Sequence, residues 1–380
     1  MKQLLWIALI VLAFAGGCHR ASDSGGSGDS DADADTDTDT DSETEEYPAD
    51  GVDLLIAVDN TGSMEDEHVL LAQHVFELIE DLAAEVDALR VAVVSTDMGL
   101  QWGGHQYEDG DGWPGDLPSS CGYLGDNGEF ESYSSGKTIV LDYETYECPL
   151  LNATWAQTPL GDPPEDNLDV AGQAACLTSL GVGGCAWGQQ LQALAEGANK
   201  PSNAQFHVDG HLLAAIVVSD EDDCSIESNE IFAVDEVQFP EDDRLKLACG
   251  YHPQHLYAPS SFLDQLAAPK GGNPNAVLFA AIVGVPLGQQ CEGDGVDITS
   301  CLEHADMQLV EVIENNEYFF RPACERWDES YQVTKARPGR RFIELAIEHP
   351  QKSYVASICN EDWTDLTDDI AQMILDELTD

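Results

Sequence analysis

The sequence predicts an α/β fold: a doubly wound, mostly parallel sheet flanked by helices and carrying long disulfide-stapled insertions. Three observations predict it. Short, nearly continuous apolar runs recur at Leu54–Val58, Leu89–Ser95, Leu212–Val218 and Val277–Val285, and parallel strands buried on both faces have this appearance. Segments of helical periodicity alternate with them. In Glu65–Val86 the residues Leu70, Leu71, Val75, Phe76, Ile79, Leu82 and Val86 recur at helical spacing, so strand, helix and strand follow one another as in a βαβ crossover. Finally, Thr96 to about Asn167 is irregular and contains Cys121 and Cys148. A loop that long in a compact domain is usually functional or stapled.

The N-terminus reads as an export signal. Lys2 supplies a positive start, and Leu4–Phe14 is apolar but short for a bilayer span. Ala15-Gly16-Gly17-Cys18 then resembles a bacterial lipobox, with Ala15 where Leu is usual. The resemblance implies cleavage before Cys18 and lipidation of its thiol. A plain signal peptide with a free Cys18 is the alternative. His19, not Asp, follows Cys18, which in proteobacterial lipoproteins favours the outer membrane. Residues 1–17 are therefore expected to be the signal, 18–50 the lipidated cysteine and an acidic tether, and 51–380 the folded domain. Ala21–Asp50 has almost nothing apolar to bury, so the tether is predicted to be disordered. Fully stretched, it reaches on the order of 100 Å.

Fifteen Lys+Arg against 72 Asp+Glu give a formal net charge of -57. Such a chain repels phosphate backbones, which excludes nucleic-acid binding as a function class. Membrane contact is expected through the lipid anchor only.

Further along, Leu168–Ala198 reads as two helical pieces broken at Gly181–Gly184, and Pro259–Ala268 leads through another helix. Pro338–Ile347 starts a helix with Pro near its first turn. Tyr354–Ile358 is the expected last strand and Asp362–Leu378 the closing helix. Asp109-Gly110-Asp111-Gly112 and Asp126-Asn127-Gly128-Glu129 look superficially like Ca²⁺ loops. Neither has the full EF-hand ligand series, so both read as turns. Ser135-Gly136-Lys137-Thr138 imitates the end of a P-loop, but Glu131 stands where its first glycine belongs.

The polar residues after the first strand carry the functional reading. Asp59, Thr61 and Ser63 alternate there, and in an extended turn every second side chain points the same way. Three hard oxygen donors would converge, which suits Mg²⁺, Mn²⁺ or Ca²⁺. Ser63-Met64-Glu65-Asp66 also fits a helix capping box. In a doubly wound sheet the strands across the switch point have adjacent carboxyl ends. That would set Asp220 beside Asp59-x-Thr61-x-Ser63. The neighbours Glu221, Asp222 and Asp223 could strengthen cation binding, but solvated loop charge is the expectation for any one of them.

Asp59-Asn60-Thr61-Gly62-Ser63 resembles the start of the metal-ion-dependent adhesion site of the von Willebrand factor A (vWA) family, Asp-x-Ser-x-Ser, with Thr61 keeping the hydroxyl. The resemblance implies that Asp220 completes the site, often through water, and that one coordination position stays open for water or a partner's carboxylate. The family also uses a Thr after a glycine pair. Here Gly183-Gly184 is followed by Cys185, a poor Mg²⁺ ligand, and Thr178 lies off the pattern. Ser95-Thr96-Asp97-Met98-Gly99, Asp220-Glu221-Asp222-Asp223-Cys224-Ser225 and Ser357-Ile358-Cys359-Asn360 extend the likeness. With them the chain resembles the vWA-like lipoproteins of myxobacteria and related bacteria over most of residues 52–378. That implies fold and location but no established activity.

Eleven cysteines suit an exported protein. With Cys18 set aside for lipid, ten remain to pair, and their connectivity is not deducible from sequence. The simplest scheme joins neighbours: Cys121–Cys148, Cys176–Cys185, Cys224–Cys249, Cys291–Cys301 and Cys324–Cys359. Zinc on Cys249-x-x-His252-x-x-His255 is the competing reading. No Gly-x-Ser-x-Gly elbow or His-Glu-x-x-His helix is present, so a non-enzymatic role is expected. The reading is an envelope vWA domain that binds a protein or glycan partner, with or without a divalent cation. A structural lipoprotein lacking metal is the alternative, followed by a metal-dependent hydrolase.

Overall fold

The computed structural model describes residues 47–65, 67–103, 105–106, 121, 125–133, 136–141, 144–148, 151, 154–158, 170–233, 247–314, 317–327 and 333–378. The export signal with Cys18 and His19, the acidic stretch up to residue 46, Asp66, Asp109–Gly112 and Ser135 lie outside the described residues.

In chain order the strands are β1 (Gly51–Val58), β2 (Leu89–Ser95), β3 (Gln101–Trp102), β4 (His105–Gln106), β5 (Thr138–Leu141), β6 (Glu144–Glu147), β7 (Ala156–Gln157) and β8 (His211–Ser219). They continue as β9 (Val277–Val283), β10 (Gly293–Asp294), β11 (Glu311–Glu314), β12 (Glu317–Phe320), β13 (Cys324–Trp327), β14 (Val333–Ala336) and β15 (Ser353–Ser357). The helices are α1 (Glu67–Glu85), α2 (Val170–Thr178), α3 (Gln190–Asn199), α4 (Ala248–Tyr251), α5 (Ser261–Ala267), α6 (Arg340–Glu348) and α7 (Thr364–Asp376).

Seven strands form one sheet in the order β10-β15-β9-β8-β1-β2-β7. The inner five run parallel, and β10 and β7 close the edges antiparallel. The predicted α/β class is therefore the observed one. Every residue of β1 is buried, because helices cover both faces of the sheet. Alternate strand residues supply two separate cores. Leu54, Ile56 and Val58 pack with Leu71 and Ile79 of α1, Leu177 of α2 and Ile370 of α7. Leu55 and Ala57 pack with Leu194 of α3, Phe262 of α5 and Phe342 of α6. Removing this apolar area from water, at about 25 cal/mol per Å², is the main force holding the layers together. Among the described residues no helix is long and apolar enough to cross a membrane.

The two short edge strands and the four hairpin pairings were not legible in the sequence. Each strand has two to four residues, too few for a period-2 pattern to register. The expected turn at Asp126–Glu129 is present: Asn127 and Gly128 both have positive φ, 52° and 69°, and the Glu129 N–H donates to the Asp126 carbonyl at 3.0 Å.

All ten cysteines from Cys121 to Cys359 are disulfide-bonded. Cys224–Cys249, Cys291–Cys301 and Cys324–Cys359 pair as expected. The first four do not. Cys121 joins Cys185, and Cys148 joins Cys176, which corrects the neighbour scheme. Cys176 lies within α2 beside Ile139 and Leu141 of β5, so the β5–β6 hairpin brings Cys148 to it. Folding, not sequence separation, sets the distance. Cys249 is committed to Cys224, which removes the sulfur that a zinc site with His252 and His255 would need.

Candidate functional site

The site is built where β1 and β8 end together. Val58 is in register with Val218, and the Asp59 N–H still donates to the Val218 carbonyl at 2.9 Å. The chain then turns. The Thr61 N–H donates back to Asp59 Oδ1 at 2.9 Å, a local side-chain-to-backbone bond typical of Asp in turns. This fold-back places Thr61 Oγ1 at 3.2 Å from Ser63 Oγ. Ser63 Oγ in turn donates to Asp220 Oδ1 at 3.0 Å. Thus Asp59, Thr61, Ser63 and Asp220 form one connected group across a sequence gap of 157 residues. Asp59, Thr61 and Asp220 are buried, while Ser63 is exposed, so the group opens toward solvent on the Ser63 side.

Asp59 is held from several directions. Ser219 Oγ donates to Asp59 Oδ2 at 2.5 Å, and Gln190 Nε2 reaches the same oxygen at 3.4 Å. Gln190 Nε2 also donates to Ser219 Oγ at 2.9 Å. His68 Nε2 lies 3.0 Å from the Asp59 carbonyl. That oxygen can only accept, so Nε2 carries the proton. Burial lowers the His68 pKa, which keeps the ring neutral. Asp220 is different. Burial first, then the charges of Asp59, Glu221 and Glu67, push its carboxyl well above the usual range, and the Ser63 hydrogen bond opposes them only in part. Like charges crowded out of water disfavour ionisation, and a cation would relieve them.

The donor chemistry fits a hard divalent ion, since two carboxylates and two hydroxyls offer oxygen only. The position that the resemblance assigns to Thr does not fit. The Gly184 N–H donates to the Asn60 carbonyl at 2.8 Å, so this loop does reach the 59–63 turn. Cys185, however, is in the disulfide with Cys121, and its sulfur accepts from the Trp187 N–H at 3.4 Å. Thr178 turns its hydroxyl back to the Ala175 carbonyl of its own helix, at 3.0 Å. Among the described residues no three His, Cys, Asp or Glu side chains converge to hold a metal.

Asp222 and Asp223 correct the expectation of solvated loop charge. Asp223 is fully buried. It accepts the Leu191 N–H at 2.9 Å at the start of α3, the Ser225 hydroxyl at 2.6 Å and Arg341 Nε at 2.9 Å. It is a structural carboxylate satisfying an orphan helix donor. Asp222 Oδ1 accepts the Arg341 N–H at 3.0 Å, and burial raises its pKa to about 7.

Sequence reasoning missed Ser219, Gln190, His68 and Glu67. Ser219 immediately precedes Asp220 and could have been suspected as a strand-end hydroxyl. Gln190 carries no local signal, because its role depends on where α3 docks.

No family model and no curated protein matches this chain. Among solved structures the chain is similar to the crystal structure of conserved hypothetical protein BatB from Bacteroides thetaiotaomicron, at 13% identity, with 86% of this chain and 98% of that chain covered and a TM-score of 0.32. A likeness at that level carries no functional argument.

Proposed function

We propose that this chain is a vWA-like binding module of the bacterial cell envelope, anchored by a lipid on Cys18 in the outer membrane. It engages a protein or glycan partner through the face bearing Asp59, Thr61, Ser63 and Asp220. The observation that supports this reading is the hydrogen-bonded series from Asp59 through Thr61 and Ser63 to Asp220, which gathers four oxygen-bearing side chains from two loops at the carboxyl ends of adjacent strands. In an open α/β sheet that rim is where ligands bind. Mg²⁺, Mn²⁺ or Ca²⁺, when bound, supplies a coordination position for an acidic group of the partner. The chain's own residues fix the geometry: Ser219 and Gln190 orient Asp59, and Ser63 orients Asp220.

The test is calorimetric titration of the purified protein with each of the three ions, followed by partner binding with and without EDTA. Asp59→Ala should abolish cation binding and leave the circular dichroism spectrum unchanged. A partner bound equally well by the variant in EDTA would refute the metal part.

A second reading, a structural envelope lipoprotein with no metal, is favoured by a specific observation. The Asp59 carboxylate is already satisfied by the Thr61 amide, the Ser219 hydroxyl and the Gln190 amide. The absence of heat with all three ions, from a folded protein, would select it.

A further inference from the structure

We propose that Arg326 is a built-in counterion of this site, and that it competes with a divalent cation for the same negative field and so sets the site's affinity. The inference rests on the cation-binding reading above. It starts from an unusual placement. The chain has 15 Lys+Arg against 72 Asp+Glu, yet one of these scarce cations turns its side chain inward beside the start of α1. Arg326 lies in β13, and its Nη2 is 3.6 Å from Glu67 Oε1, with the two side chains 9% and 0% exposed. Glu67 opens α1, four residues after Ser63 along the chain. The guanidinium therefore stands against the first residue of the helix that follows the site's own turn.

Hydrogen bonding does not account for the placement. Arg326 Nη2 donates to Thr334 Oγ1 across the hairpin at 3.4 Å, but Nη1 is buried with no hydrogen-bond partner. A guanidinium has five donors, and leaving one end unsatisfied out of water is costly. Attraction to the carboxylates offsets that cost.

The hairpin also cannot drift. Cys324, at the start of β13, is bonded to Cys359 just beyond β15. Where β14 ends, the Arg337 N–H donates to the Asp220 carbonyl at 2.7 Å. The segment that carries Arg326 is thus tied directly to Asp220.

At a protein-like dielectric, one unit of charge within about 10 Å changes a divalent ion's affinity by about tenfold or more. The experiment titrates Mg²⁺ and Mn²⁺ into the wild-type chain, Arg326→Gln and Arg326→Lys by calorimetry at fixed pH and salt. Arg326→Gln should tighten binding about tenfold or more. Arg326→Lys, which keeps the charge, should stay within about threefold of wild type. Should Arg326→Gln fail to fold, the double variant Cys324→Ser/Cys359→Ser releases the hairpin and is expected to shift affinity in the same direction. If the wild type binds and both the Gln and hairpin variants match it within twofold, Arg326 is not a competitor and the cation reading survives. If no variant and no wild-type sample binds either ion, both readings fall together.

Discussion

Asp53 is a charged residue inside a fully buried strand. At the end of β1 remote from the candidate site, its carboxylate accepts from Lys270 Nζ at 2.6 Å, the Val208 N–H at 2.9 Å and His211 Nδ1 at 3.0 Å. Burial alone would raise its pKa, but His211, Lys270 and the Val208 amide outweigh burial and hold it below the usual carboxylate range. Asp53 and Lys270 are 0% and 2% exposed, so Asp53→Asn strands a buried ammonium. The expected loss is about 3–5 kcal/mol in urea denaturation. The sign of the pH effect follows from the depressed value. Stability from Asp53 is fully present above the unfolded-state pKa and is lost as pH falls through the lower folded-state value. The variant should therefore show a shallower acid limb than wild type in melts taken from pH 6 down to pH 2. Identical limbs would remove Asp53 from the acid response.

At the scale of elements, the insertions are held to the α/β frame by covalent links and by close backbone approach. The Cys148–Cys176 bond fixes the β5–β6 hairpin to α2 and closes a sequence separation of 28. Replacing both cysteines by Ala should lower unfolding free energy by about 2–4 kcal/mol. Peptide mapping without reduction should recover Cys148 with Cys176 and Cys121 with Cys185. Recovery of Cys121 with Cys148 would overturn this connectivity. Gly184 has a similar positioning role through its N–H bond to the Asn60 carbonyl, and a Cβ there would lie 2.0 Å from Asn60 Oδ1. A side chain there would displace the Asn60 side chain from the 59–63 turn.

For the whole molecule, a formal net charge of -57 means that the folded chain works against its own repulsion. Salt screens that repulsion, with a Debye length of about 10 Å at 0.1 M. The melting temperature should rise by several degrees between roughly 10 mM and 0.3 M NaCl. A falling midpoint would mean that specific surface ion pairs outweigh the net charge. Arg326–Glu67 and Arg341–Asp223, at 3.6 and 2.9 Å, are buried pairs and should respond little to salt.

The sequence by itself determined the parallel sheet and the polar residues that follow its first strand. Leu89–Ser95 coincides with β2, the apolar runs at Leu212–Val218 and Val277–Val285 coincide with β8 and β9 to within two residues, and Asp59, Thr61 and Ser63 are legible because strand burial and turn alternation are local patterns. Strand order already set Asp220 beside Ser63, and only the tertiary structure decided that Gln190 and Ser219 hold Asp59, that Cys185 pairs with Cys121, and that Arg326 stands against Glu67. Each of these joins residues far apart along the chain. Their distances are set by the docking of helices and hairpins on the sheet, a property that no window of neighbouring residues contains.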